Sequence, residues 1–174
     1  MARIEAEQDA LARQAGFADR TAFYADRAMR FPPRPWDDAA RTAYLKTAND
    51  FVTHVRSLLP AYFGTLPAYG IEVVREPAFS ELPGGAAHAS APSPDGKRPA
   101  RTFVHLVGQQ KDPAAVYTLM CHEAVPGHNM QGDIQVRSQN GPKFRAVTGY
   151  VAFGEGWGLY ACLLYTSPSP RDRQ

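Results

Sequence analysis

One seven-residue stretch constrains this chain more than any other: His122-Glu123-Ala124-Val125-Pro126-Gly127-His128, in which a proline and a glycine interrupt a segment otherwise built to be helical. Asp112-Pro113 reads as an N-cap followed by proline at the first helical position, and Ala114, Val116, Tyr117, Leu119 and Met120 carry the helix into His122 and Glu123. Pro126 has no N–H to donate and its ring clashes with the carbonyl of residue 122, so a regular helix cannot pass through it. Gly127 supplies backbone freedom at the same point. Six residues advance an ideal helix by about 600°, leaving His128 about 120° from His122 around the axis. A loosened turn or bulge holding two extra residues brings the two imidazoles back side by side.

The rest of the chain reads as helices joined by long connections and a little β-structure. Residues 2–15 place Ile4, Leu11 and Ala15 on one helical stripe closed by Gly16, and residues 17–29 form a second short helix ended by Phe31-Pro32-Pro33-Arg34-Pro35. Asp37 or Asp38 caps the best helix, in which Tyr44, Ala48, Phe51, Val52, Val55 and Leu59 recur at three- and four-residue steps until Pro60. His54 reads as a residue of its solvent face. Residues 71–76 and 102–107 alternate as short strands, with His105 out of phase with Val104 and Leu106 and so facing solvent or a cleft. Residues 77–100 are rich in Pro, Gly, Ala and Ser and read as one long loop, in keeping with 15 prolines and 14 glycines in 174 residues.

Composition narrows the function classes. A net charge of +2 is too small for a polybasic nucleic-acid binder, and 44% hydrophobic residues are too many for a fully disordered chain. No apolar run approaches the roughly 18 residues of a membrane helix. Cys121 and Cys162 form no disulfide framework or zinc-knuckle spacing. There is no phosphate-binding glycine loop, G-x-S-x-G elbow or repeat of 20 to 50 residues.

The final residues, 162–174, resemble the translation of a sequencing adaptor rather than native protein, and Ser167-Pro168-Ser169-Pro170 cannot continue a helix. The expected domain is therefore residues 1–161, cut short at its C-terminus, with Met1 open to being an internal methionine. Without the tail the net charge falls from +2 to +1, because Arg171, Asp172 and Arg173 leave with it.

The 122–128 stretch resembles the H-E-x-x-H motif of zinc peptidases, expanded by the proline-glycine pair; there, two histidines hold the metal and the glutamate activates water. A third ligand should arrive from another element, and Gly154-Glu155-Gly156-Trp157 offers Glu155, 27 residues beyond His128. It lies in residues 148–161, apolar almost all round through Tyr150, Val151, Phe153, Trp157, Leu159 and Tyr160, hence buried in a complete protein and partly exposed where partner helices are missing. A carboxylate there needs a metal, a proton or a cation such as Arg137 or Arg145. Spacing alone leaves these alternatives open.

Four stretches in order, Ile4-Glu5-Ala6-Glu7, Asp95-Gly96-Lys97-Arg98-Pro99, His122 to Gln131 and Phe153-Gly154-Glu155-Gly156-Trp157-Gly158-Leu159-Tyr160, resemble the bacterial family called domain of unknown function 885 along nearly all of residues 2–161. The resemblance implies a mostly α fold, a helical zincin-like metallopeptidase fragment with two or three short strands, and hydrolysis of peptide bonds by metal-activated water. It implies Zn²⁺ on His122, His128 and Glu155, with Glu123 as general base. Gln131 is then a neighbour orienting a ligand, the 102–107 strand a track for an extended peptide, His105 a residue facing substrate, and Tyr150 and Tyr160 donors to an oxyanion, with core packing the plainer role for both tyrosines. The family usually carries histidine at Asn129 and alanine at Gly158 and extends well beyond residue 161, so the fragment is expected to be inactive and poorly soluble. The partner is a peptide, with no nucleic acid and no membrane segment; oligomeric state and compartment stay open. The other readings are an inactive zincin-like binding module and an unrelated helical interaction domain.

Overall fold

Helix capping and apolar periodicity account for the first elements. The computed structural model describes residues 2–32, 35–108, 111–138, 144 and 149–166, and the chain divides into two units, Met1–Pro35 and Trp36–Gln174. The smaller unit holds α1 (Ala2–Gln14) and α2 (Arg20–Arg30). Gly16 turns the chain between them at φ 87°, a left-handed value that favours glycine. Asp19 accepts the Ala22 N–H at 2.8 Å, which starts α2 three residues later than the hydrophobic pattern suggests. Arg20 ties the two helices together through Asp9, its backbone N–H at 3.0 Å and its guanidinium at 3.2 Å.

In the larger unit α3 (Asp38–Leu58) follows its N-cap Asp37, which accepts the Ala40 N–H at 2.9 Å. Tyr44, Ala48 and Val52 are buried and Phe51 and Val55 half-buried, as the three- and four-residue spacing requires. His54 is exposed. Three strands follow, β1 (Ile71–Arg75), β2 (Ala87–Ser90) and β3 (Ala100–Val104), ordered β1-β3-β2. The central β3 pairs in parallel with β1 and antiparallel with β2. β2 lies inside the stretch read from composition as loop. Alanine-rich Ala87-His88-Ala89-Ser90 has little strand propensity of its own, and pairing with β3 imposes the conformation. β3 itself begins two residues before the expected 102 and ends three before 107.

The sheet has one core face. Val73, Ala100, Thr102 and Val104 are buried on it, alongside a cluster from α3 and α4 that includes Tyr44, Val52, Val116 and Met120. At the β1 edge Asn49 of α3 substitutes for a further strand: its side-chain amide donates to the Val73 carbonyl at 2.9 Å and its oxygen accepts the Val73 N–H at 3.0 Å.

The helices that follow are α4 (Ala115–Glu123), α5 (His128–Arg137) and α6 (Val151–Thr166). Buried Asp133 on α5 accepts the Ala68 and Tyr69 N–H groups at 3.1 and 2.9 Å and pairs with Arg137 at 2.6 Å, fixing the connection that leads into β1. One expectation is corrected on α6. It does not stop at residue 161 but runs on to Thr166, ending where Ser167-Pro168 forbids continuation; residues 167–174 lie outside the described residues. Its apolar surface is partly exposed, in line with the reading of residues 148–161. Ala161 and Gly158 are buried against the rest of the unit, while Tyr150, Phe153 and Leu159 are more than 60% exposed. α6 packs mainly on α4 and α5, and its apolar far side is open.

Candidate metal centre

The proline-glycine break behaves as its chemistry dictates. α4 ends at Glu123 and α5 begins at His128, and between them the Val125 N–H reaches the Met120 carbonyl at 3.1 Å while the Met130 N–H reaches the Ala124 carbonyl at 3.2 Å. The second bond spans six residues where an α-helical turn spans four. The loosened turn with two extra residues is thus present. Gly127 serves it by its lack of a side chain rather than by unusual φ, since it sits at φ −76°. A Cβ there would collide with the carbonyl oxygens of His122 and Cys121.

His122 at the end of α4 and His128 at the start of α5 are thereby brought face to edge, with ring centroids 4.7 Å apart and planes at 87°. Glu155 of α6 meets both: Oε2 lies 3.3 Å from His122 Nε2 and Oε1 lies 3.7 Å from His128 Nε2. One donor atom from each of the three lies within 4.8 Å of the others. Zinc bonds of about 2.0–2.2 Å in a tetrahedron separate ligand atoms by about 3.3–3.6 Å. The donor set and its spacing fit that ion, and the imidazoles are already turned toward the carboxylate.

Neighbouring groups hold these side chains in place. Gln131 Oε1 lies 3.2 Å from His128 Nδ1, a contact that suits the tautomer with the ring proton on Nδ1 and Nε2 free of it. The Trp157 indole N–H donates to the Pro126 carbonyl at 2.7 Å, docking α6 on the broken turn two residues after Glu155. A Cβ on Gly158 would stand 2.6 Å from His122 Cε1, so glycine there lets α6 approach the imidazole. Asn129 is fully buried: its Oδ1 accepts the Thr102 hydroxyl at 2.7 Å, and its amide donates to the Ser90 and Arg101 carbonyls at 3.2 Å each. It pins the start of α5 to β2 and β3 and contributes nothing directly to the three-residue cluster. Arg137 is engaged with Asp133 and the Leu66 carbonyl, and Arg145 lies outside the described residues.

Glu123 is buried beside this cluster. Burial pushes its carboxyl up to about 7; Glu155 adds to the rise, and His128 and the Ala89 N–H oppose it. Glu123, His128 and Glu155 share a cleft of about 430 Å³ with Gln131, Tyr150 and the β2 residues Ala87 to Ala89.

Two expectations about this cleft are corrected. The strand along it is β2, not the 102–107 segment, because β3 is central and has both edges occupied. His105 is absent from the cleft wall. Its Nδ1 accepts the Leu82 N–H at 3.0 Å, and it groups instead with Glu76 and His88. Tyr150 lines the cleft, whereas Tyr160 packs at a tilt against Trp157, ring centroids 5.9 Å apart, and does not. Sequence reading passed over Trp157 as a positioning group; its signal was an indole in a glycine-flanked stretch, whose N–H needs an acceptor when partly buried.

The fold and the cluster define a mostly α protein with a small mixed sheet and a His-His-Glu centre set at a helix break. Residues 1–165 match the family described as a bacterial protein of unknown function, DUF885, and the chain belongs to that family. No curated protein matches it. Among solved structures it is similar to a candidate lipoprotein from Colwellia psychrerythraea, with a TM-score of 0.79 and 26% identity over 94% of this chain. The match spans only 28% of that protein's length.

Proposed function

We propose that the chain is the zinc-binding part of a metallopeptidase. The observation that carries this reading is the convergence of His122, His128 and Glu155 from three helices within 4.8 Å, with buried Glu123 lining the cleft that His128 and Glu155 share. His122 and His128 would hold the ion through their imidazoles and Glu155 through its carboxylate. Bound there, zinc supplies a Lewis acid that polarises a peptide carbonyl and acidifies water.

The chain's own groups do the rest. Glu123 takes a proton from the attacking water and returns it to the departing amine. β2 supplies a strand edge for an extended peptide. His105 N–H bonds to the Ala86 carbonyl, so antiparallel alternation turns the polar groups of Ala87 and the Ala89 carbonyl away from β3 and along the cleft, while the Ala89 N–H is held by Glu123. Tyr150, which also lines the cleft, offers it a phenol donor.

Metal analysis of the purified chain tests the reading. Zinc at this centre is expected in the native chain and after Glu123→Gln, and lost in His122→Ala, His128→Ala and Glu155→Ala. In the full-length protein Glu123→Gln should retain zinc and abolish peptide hydrolysis. A folded chain that holds no zinc at these residues overturns the proposal; zinc retained by an inactive full-length wild type favours a binding module on the same scaffold.

A further inference from the structure

The same end of the sheet carries a second set of two imidazoles and a carboxylate. Glu76 directly follows β1, His88 lies in β2, and His105 directly follows β3. The strand registers pair Val74 and His88 with Phe103, and the two-residue repeat puts Glu76 and His105 on that same face, opposite buried Val73, Thr102 and Val104. One donor atom from each of Glu76, His88 and His105 lies within 4.8 Å of the others. The His88 ring is stacked on Phe103 at 5.1 Å, and its Nε2 stands 3.8 Å from Glu76 Oε2.

Glu76 is what makes this more than a surface grouping. It is only 8% exposed. Its Oε1 accepts the Ser80 hydroxyl at 2.5 Å, while its buried Oε2 has no hydrogen-bond partner. An ionised carboxylate oxygen buried without a partner is costly, and the groups it faces are imidazoles. We infer that Glu76, His88 and His105 form a second site for a divalent transition-metal ion, distinct from the His122 centre, that ties the ends of all three strands together. Two imidazoles and one carboxylate form a donor set suited to such ions. Exposed His88 is the side through which an ion enters.

The environment of His105 gives the site a second property. The Leu82 N–H donates to His105 Nδ1, and Gly85 lies so close that a Cβ there would stand 2.7 Å from the ring. Whichever ring nitrogen coordinates, Leu82 loses its acceptor: an ion at Nδ1 displaces the N–H, and an ion at Nε2 leaves the ring proton on Nδ1. Ion binding is thus coupled to release of the Leu82 N–H from His105.

Zinc titration of the purified chain, followed by calorimetry and by amide exchange at Leu82, tests the inference without reference to the His122 centre. One equivalent should weaken at least tenfold in His88→Ala and in Glu76→Gln, survive in His122→Ala, and speed exchange of the Leu82 amide when bound. Glu76→Gln keeps the shape of the side chain and removes the charge of the unpartnered oxygen, so it tests the site even if His105→Ala unfolds the loop. Zinc binding unchanged in folded His88→Ala and Glu76→Gln chains, or all zinc lost in a folded His122→Ala chain, or Leu82 exchange unaffected by zinc, overturns it.

Discussion

Two imidazoles and a carboxylate come together twice in this chain, with opposite burial. At the helix break the half-buried histidines sit on α4 and α5, and the carboxylate, Glu155, is 58% exposed on α6. At the sheet end the carboxylate, Glu76, is buried and His88 is the exposed member. The same donor set is therefore assembled from either side. In one case a backbone interruption brings the histidines together and a neighbouring helix brings the anion. In the other the anion is fixed beneath a sheet edge and the histidines reach over it. The first cluster depends on helix geometry and the second on strand register, so different substitutions should separate them.

The largest separation is expected from Gly127→Ala. A methyl group there meets backbone oxygens at the end of α4, and relief requires the broken turn to open. A cost of about 3 kcal/mol in urea unfolding is expected, together with loss of zinc at the His122 centre and retention of zinc at Glu76 and His88. A destabilisation under about 1 kcal/mol would show that the turn has slack.

A pH series sharpens the contrast next. Without metal, Glu123 titrates near 7 in the folded chain against an ordinary value of 4.5, so the folded state binds its proton more tightly than the unfolded state. This contribution is fully present below about pH 4.5, falls as pH rises, and is gone above about 7, a loss of up to about 3 kcal/mol. Melting in chelator between pH 4.5 and 7.5 should show the decline, and Glu123→Gln should flatten it. Stability rising over that interval with a Glu123-dependent slope would contradict the burial of this carboxyl.

Asn129→Ala ought to disturb the connection between the regions, since Asn129 bonds Thr102, Ser90 and Arg101 at once. About 2 kcal/mol of stability should be lost, with weaker zinc binding at His128; a smaller loss with unchanged zinc affinity would deny it a positioning role. Trp157→Phe keeps most of the packing and removes the bond to the Pro126 carbonyl. About 1 kcal/mol and up to tenfold in zinc affinity at the His122 centre are expected, measurable by denaturation and calorimetry, with no change at the sheet-end site.

The elements that sequence alone determined are those whose causes are local. Asp37, the spacing of Tyr44, Ala48 and Val52, and Pro60 define α3 without reference to anything else in the chain. Pro126 and Gly127 likewise dictate a helix break between two histidines, because a missing N–H and a ring clash act within one turn. Glu155 could be singled out as a third member from residue type and apolar surroundings, but spacing left an arginine partner equally open. Only the packing of α6 on α4 and α5 brings that carboxylate to both imidazoles. Tertiary structure alone also decided that alanine-rich 87–90 becomes an edge strand, that β3 is central and closed to a peptide, and that His105 points to Glu76 rather than into the cleft. The reason is range: capping, proline and helical periodicity act over a few residues, whereas edge, face and burial depend on strand partners 11 to 29 residues away.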